Sequence, residues 1–323
     1  MFTCRRWACR PLLTSRLLYC SRSSSSTPAK MAQLVALPDV ESVSPVVVRI
    51  LGGNPGKFTL QGTNTYLVGT GRERLLIDTG EGVQSWVDHL KSVLGSNTLA
   101  AVLISHWHPD HVGGLDDVRK LVPGVPVYQS QIAKPDPDIR NIQDGQTFSV
   151  AGATLRAVHT PGHTTDHMAF VLEEENAVFA GDNVLGQGTA VFEDLAVYLA
   201  SLARMKALYS PDASKRLYPG HGPVVEDGPG KIAEYIGHRQ QREDQVVKLL
   251  QTGGSGSSSS GIKTNSTGAL TPQQMVEVIY ADIRKDLYPA AERGLTQILH
   301  KLEAEGKVVR AGDGWILRAK SPL

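Results

Sequence analysis

Three histidines and an aspartate fall within six residues of one short stretch, Ser105-His106-Trp107-His108-Pro109-Asp110-His111-Val112-Gly113-Gly114. It follows directly on the apolar run Ala100-Ala101-Val102-Leu103-Ile104, which reads as a short buried strand, and Gly113-Gly114 lead into a helical pattern. His106 and His108 are two apart, so at an extended strand end they point the same way. Asp110 and His111 occupy the turn that follows, where Pro109 pre-sets the backbone for helix entry. Imidazole nitrogen and carboxylate oxygen are ligands that divalent zinc accepts. Four such groups at a strand-to-helix junction specify a metal site.

The first 30 residues differ from the rest. They hold Arg5, Arg6, Arg10, Arg16, Arg22 and Lys30, the run Ser23–Ser26, and no acid before Asp39. Basic, serine-rich and acid-poor is the pattern of a mitochondrial transit peptide, so the expectation is a disordered leader over 1–30 and a place in the mitochondrial matrix. Met31 offers a second start and a cytosolic form. Cys4, Cys9 and Cys20, the only three cysteines, all lie in this leader, which excludes a thiol nucleophile, a thiolate ligand or a disulfide from the remainder. Removing six basic and no acidic residues leaves 27 of 33 Lys and Arg against 32 Asp and Glu. A chain of that balance has no global attraction for nucleic acid, and any such binding must be local. No apolar stretch is long enough to span a bilayer, so no membrane partner is expected.

Period-two and period-three-to-four patterning places the remaining elements. Strands are expected at 46–51, 64–69 and 74–78, then a helix carrying Trp86, Leu90 and Leu94, the strand before the motif, and a helix from about Gly113. A second β region follows at 126–129, 147–150, 154–159, 167–173 and 177–181, then a helix over 193–209, a strand at 216–218 and a long helix over 230–251. Strands and helices in this order fit an α/β fold of two facing sheets with helices outside, an αββα sandwich occupying 40–250. A Gly/Ser-rich linker is expected over 251–268. Beyond it, over 269–323, Thr271-Pro272 caps one helix, a second runs over 290–305, and two strands flank Asp313-Gly314. Two helices and a hairpin outline a winged-helix-like α+β module.

Further ligand candidates recur at expected strand ends. His163 stands in Thr160-Pro161-Gly162-His163-Thr164, Asp182 closes Phe179-Ala180-Gly181-Asp182, and His221 repeats the design in Tyr218-Pro219-Gly220-His221-Gly222. Glycine and proline turn the backbone sharply and bring each side chain to a sheet end.

In that order, over roughly residues 46–240, these segments resemble the metallo-β-lactamase-fold hydrolases. The resemblance implies two zinc ions per chain, one on His106, His108 and His163, the other on Asp110, His111 and His221, with Asp182 bridging. It also implies that Asp78, in Ile77-Asp78-Thr79-Gly80, orients a ligand histidine, and that Asn64, in Gly62-Thr63-Asn64-Thr65-Tyr66, hydrogen-bonds backbone near the pocket. His167, in Thr165-Asp166-His167, is a candidate substrate contact. Two metals, two carboxylates and a bridging hydroxide leave a net positive cluster, suited to an anionic transition state, with Asp110 as catalytic proton acceptor.

Fold and ligands do not fix the substrate. True β-lactamases of this fold use a cysteine where Asp182 stands, and single-iron persulfide dioxygenases lack the second site. The glyoxalase II thioesterases share the seven ligands but end in a different, helical domain. A narrower resemblance is to a mitochondrial zinc-dependent endoribonuclease branch of animals, carried by Asn54-Pro55-Gly56, Thr59–Val68, Asp166-His167-Met168-Ala169 and Val191–Leu195 and extending over nearly all of 40–323. It implies hydrolysis of single-stranded RNA, for which Lys215, Arg239 and Arg242 are candidate groove residues. A glyoxalase II-like thioesterase is the alternative reading. A winged-helix regulator is a third, although the second helix of the module mixes Arg293 and Lys301 with Glu292, Glu303 and Glu305 and lacks a basic face. Oligomeric state is not legible in the chain.

Overall fold

The structure is a computed structural model and describes residues 34–132, 136–211, 215–253 and 268–318. The expected leader, and the expected linker apart from its ends, lie outside the described residues.

Seven strands form the first sheet in chain order: β1 (Val40–Ser42), β2 (Val47–Leu51), β3 (Asn64–Val68), β4 (Glu73–Ile77), β5 (Thr98–Leu103), β6 (Val127–Gln129) and β7 (Arg140–Asn141). The first four run antiparallel. After α1 (Gln84–Leu94) the pairing turns parallel through β5, β6 and β7. β1 and β7 were not expected: they are three and two residues long, and exposed, so no hydrophobic period marks them. The second sheet runs β12 (Leu217–Pro219), β11 (Ala177–Gly181), β10 (Met168–Leu172), β9 (Ala153–His159), β8 (Thr147–Val150). Only β11 and β12 pair in parallel, joined through α4 (Leu195–Lys206).

Side-chain alternation explains how the sheets stack. Tyr66, Val68, Leu75, Ile77, Ala101 and Leu103 face Leu155, Ala157, Phe170, Leu172 and Phe179 in the core between the sheets. Their neighbours Leu67, Leu76 and Val102 point the other way and pack beneath Trp86, Leu90 and Leu94 of α1. Strands covered on both faces read as continuous apolar runs rather than alternating ones, as β3, β10 and β11 do. The sandwich expected from the sequence is the fold observed.

The helix expected from Gly113 is two: α2 (Pro109–Val112) and α3 (Leu115–Leu121). Gly114 separates them where the chain lies against Thr79 O and the Trp86 ring, leaving no room for a Cβ.

The outer face of the second sheet carries α4, the long α5 (Gly228–Gly253) and the C-terminal module: α6 (Pro272–Ile279), α7 (Tyr288–Ala304), and the hairpin β13 (Val308–Ala311) and β14 (Gly314–Leu317). A capping box at Thr271 and Gln274 starts α6. Met275, Leu295, Leu299 and Trp315 of the module are buried with Val246 and Leu249 of α5 in one continuous cluster. Lys301 of α7 reaches back 2.8 Å to the buried Glu243 of α5. The module therefore shares its core with the sandwich.

Candidate metal centre

Four of the site's segments leave the carboxyl ends of parallel strands: Asp78 after β4, Ser105–His111 after β5, Asp182 after β11 and His221 after β12. His163 arrives on the turn between β9 and β10. The two sheets are tied at this edge by the Thr63–His221 bridge and by Asn64 N donating to Gly220 O over 2.7 Å. All seven expected ligands lie together here.

They group as three overlapping sets whose donor atoms lie within 4.8 Å of one another: His106, His108 and His163; His106, His111 and Asp182; Asp110, His111 and His221. His108 Nδ1 lies 3.0 Å from His106 Nε2 and 3.1 Å from His163 Nε2. His221 Nε2 lies 3.3 Å from Asp110 Oδ2 and 3.1 Å from Asp182 Oδ2. Asp182 also sits 3.6 Å from His163 Nε2 and 3.5 Å from His111 Nε2, so its carboxylate faces both groups.

The opposite edge of four of the five rings, those of His106, His111, His163 and His221, is held by protein. Asp78 Oδ2 accepts from His111 Nδ1 at 2.8 Å and from Ser105 Oγ at 2.7 Å, while Oδ1 accepts from Ser105 N. Ser105 Oγ in turn lies 3.0 Å from His106 Nδ1, so one hydroxyl joins Asp78 to a second ring. His163 Nδ1 faces Val191 O at 2.9 Å. Asn64 Nδ2 donates to Pro219 O and Gly222 O, the carbonyls on either side of His221, at 2.9 and 2.8 Å. Thr63 Oγ1 donates to Asp110 Oδ2 at 3.2 Å. Anchored distal nitrogens leave the facing nitrogens free to bind a cation.

The donor set fits a divalent metal. His111 Nε2 and Asp182 Oδ1 are buried and lack a hydrogen-bond partner within the protein. Unpaired buried polar atoms are costly, and here they converge on one point. Charge gives the same answer. Burial, reinforced by the neighbouring rings His111 and His163, drives His106 well below the ordinary histidine value. Burial and His163 push His108 down to about 4. Burial also opposes charge on His221, but Asp182 and Asp110 outweigh it and push the ring up to about 9. Burial likewise disfavours charge on Asp110 and Asp182, yet the facing histidines hold both carboxyls ionised. Burial opposes charge on His111 too, but Asp182 and Asp78 raise it well above its ordinary value, so His111 and His221 hold protons where a divalent cation would supply the positive charge that the carboxylates call for.

His167 is a correction. The candidate substrate contact is fully buried: its Nε2 accepts from Asp182 N at 3.2 Å and its Nδ1 lies 3.0 Å from Thr160 Oγ1. It holds the backbone beneath Asp182 and meets no solvent. Ser105, Asn183 and Tyr198 were not singled out from the sequence. Asn183 Nδ2 donates to Thr160 O at 2.6 Å, its carbonyl accepts from Tyr198 Oη, and its Oδ1 accepts from His163 N. Only their adjacency to ligands could have marked Ser105 and Asn183. Nothing local marks Tyr198, which sits on a helix 15 residues from Asn183.

A cavity of about 1010 Å³ opens from His108 and His163. Its walls are Val191–Glu193, His238, Arg239 and Arg242 of α5, and the first half of α7. Of the three expected groove residues, Lys215 is absent from this lining, Arg239 lines it but is largely buried and donates to Ala190 O, and Arg242 lines it at a half-buried position.

An αββα sandwich with a histidine and aspartate cluster at one sheet edge defines a metal-dependent hydrolase. The family model of the metallo-beta-lactamase superfamily matches residues 58–221, and the chain belongs to that superfamily. The model of the beta-lactamase associated winged helix domain matches residues 271–315, in agreement with the module expected there. The chain is 46% identical over 292 residues to an atrochrysone carboxyl ACP thioesterase of Aspergillus chevalieri, covering 89% of this chain and 90% of the relative. A lactamase-like protein of Aspergillus niger is 46% identical over 87% of this chain and 88% of its own. A solved beta-lactamase domain protein of Burkholderia ambifaria has a TM-score of 0.71 at 19% identity, over 88% of this chain and 95% of that one, and shares the fold.

These relatives overturn the endoribonuclease reading. A thioesterase name stands on a protein 46% identical over nearly the whole chain, module included. The narrower resemblance that implied a mitochondrial enzyme cutting single-stranded RNA is corrected accordingly.

Proposed function

We propose that this chain is a metal-dependent thioesterase, hydrolysing an acyl thioester to an acid and a thiol. The thioesterase alternative left by the sequence is the class that the relatives' names support. The observation that carries the reading is the cleft. Its roughly 1010 Å³ begins at His108 and His163 and is lined further out by Phe192 and Pro289–Gly294, room for a bulky acyl group beside the reacting carbonyl.

The site is read as holding two zinc ions, one on His106, His108 and His163, the other on Asp110, His111 and His221, with Asp182 shared. Nitrogen and oxygen donors of this kind suit zinc. Metal bound there supplies an activated water and a Lewis acid for the carbonyl. The remaining work falls to the chain. The cleft wall from Val191 to Glu193 orients the acyl group against the ligand edge. Asp110 is the more exposed carboxylate, at 20% against 11% for Asp182, and receives the proton released as water adds. The bond to sulfur then breaks. A thiol has a pKa of about 8.5, so it departs largely without a proton donor, and none is needed on the leaving side.

The test is thiol release by the full-length, metal-loaded protein from N-acetylcysteamine thioesters of increasing acyl size. Turnover is expected, falling by about 10²–10⁴-fold in Asp110→Asn. Metal-loaded protein that releases no thiol above buffer across the panel overturns the reading.

A further inference from the structure

The cleft contains more positive charge than the chemistry at its metal end requires. Arg239 and Arg242 lie three residues apart on one face of α5 and line it beside His238, and Arg293 of α7 lines it from the module side. Two carboxylates, Glu193 and Glu292, also line it. Neither is within ion-pair distance of these arginines, and among the described residues Arg239, Arg242 and Arg293 have no ion-pair partner at all.

Two of the guanidiniums are held in place by aromatic rings. Arg239 lies 4.7 Å from the Phe192 centroid and 5.8 Å from that of Tyr198. Its Nη2 donates to Ala190 O at 2.7 Å, yet its Nε is buried without a partner, in a residue only 9% exposed. Arg242 lies 4.5 Å from the Tyr280 centroid, and its Nη1 donates to Gln245 Oε1 at 2.8 Å and to Ile279 O at 3.4 Å. A guanidinium stacked on a ring keeps its edge for hydrogen bonding, and that edge matches a carboxylate or phosphate. The positive field is felt locally. Burial first, then Arg239 and Arg242, lower the His238 pKa below its ordinary value. A buried, unpaired cation is costly unless an anion joins it.

We propose that the α5 wall of the cleft is an anion subsite, with Arg242 as its principal contact, reading a carboxylate or phosphate that the substrate carries away from its thioester. This rests on the thioesterase reading above and narrows it to anionic thioesters. The anion has two possible sources, a carboxylate on the acyl group or the phosphate of a phosphopantetheine arm, and they share one recognition chemistry.

Two matched substrate pairs separate the sources. The first compares glutaryl with pentanoyl N-acetylcysteamine thioester, so that charge is added on the acyl side. The second compares pentanoyl thioesters of 4′-phosphopantetheine and pantetheine, adding charge on the arm. In the metal-loaded full chain, the charged member of one pair should exceed its neutral partner in kcat/KM by about ten- to a hundredfold, the worth of a hydrogen bond to a charged group. In Arg242→Gln that ratio should collapse towards one, chiefly through KM, and Arg242→Lys should restore part of it. Arg293→Gln, at an exposed position, gives a second reading should Arg242→Gln fold poorly, and it should lower the same ratio. Ratios near one in both pairs, or a preference that survives both glutamine variants, overturn the subsite. Failure of every thioester instead defeats the thioesterase reading. The subsite is then read by calorimetric titration of glutarate and 4′-phosphopantetheine: binding weakened at least tenfold in Arg242→Gln supports it, and equal binding by the two proteins refutes it.

Discussion

Asp78→Asn isolates the electrostatic support of the metal centre from its shape. Asp78 is 2% exposed and adopts φ 58°, a left-handed conformation that Asn tolerates better than most residues. Volume and backbone are therefore preserved. What changes is one oxygen. Asn can keep its carbonyl towards Ser105 N, where Asp78 Oδ1 accepts at 2.7 Å. The amide nitrogen then replaces Oδ2 and faces His111 Nδ1 from 2.8 Å. Two donors cannot share that contact, so His111 must move its proton to Nε2, the nitrogen that points at the ligand cluster and has no other partner. A protonated Nε2 has no lone pair for a metal. Losing a buried hydrogen bond to a charged acceptor costs about 1.5–3 kcal/mol, which is roughly 10- to 150-fold in affinity. Metal affinity, measured by competition with a chelator of known strength, should fall by that factor, with fewer ions bound per chain at a fixed free-metal level. Affinity within twofold of the parent, at equal stoichiometry, would refute the reasoning that Asp78 acts through His111.

Other outcomes follow from the same geometry. Asn64→Ala removes both donors that hold the carbonyls flanking His221, and should lower stability by about 1–3 kcal/mol in urea unfolding while reducing turnover. Gly220→Ala places a Cβ against Asp182 Oδ1, so native mass spectrometry should show loss of bound metal in a protein whose circular dichroism is unchanged. Leu299→Ala opens a cavity at a fully buried position in the cluster shared by α5 and the module. It should cost about 2–5 kcal/mol and leave a single unfolding transition, whereas a separate module would melt on its own. Chelation should lower the melting temperature, since a ligand at a thousandfold its Kd stabilises by about 4 kcal/mol.

Local pattern carried most of the fold. Period-two strands and the helical stripes of α1, α4, α5 and α7 are visible because each packs one face or both against a core. β1 and β7 escaped because exposed two- and three-residue strands carry no such signal. The break between α2 and α3 escaped as well, since it depends on Thr79 and Trp86 approaching Gly114 from elsewhere in the chain. Among the functional residues, His167 shows the limit most clearly. A histidine four residues from a ligand suggests substrate contact, yet only the sheet reveals that both ring nitrogens are taken up by Asp182 N and Thr160. Arg239 is a second case: in the sequence it is a candidate groove residue, and only the structure shows Phe192 and Ala190 O closing over it.

By itself the sequence determined the chemistry of the site. Ligand identity is set by side-chain type, and the turns that carry the ligands are set by Pro and Gly at strand ends, both local properties. The tertiary structure decided how those turns converge, through the Thr63–His221 bridge and the Asp78–Ser105 contacts that no spacing encodes. It also decided what the metal edge faces. The cleft between Val191–Glu193 and α7 exists only because the module packs its core onto α5, bringing residues about a hundred positions apart onto one surface. The substrate selection proposed above rests on that surface, which depends on the packing of distant segments and not on any one of them.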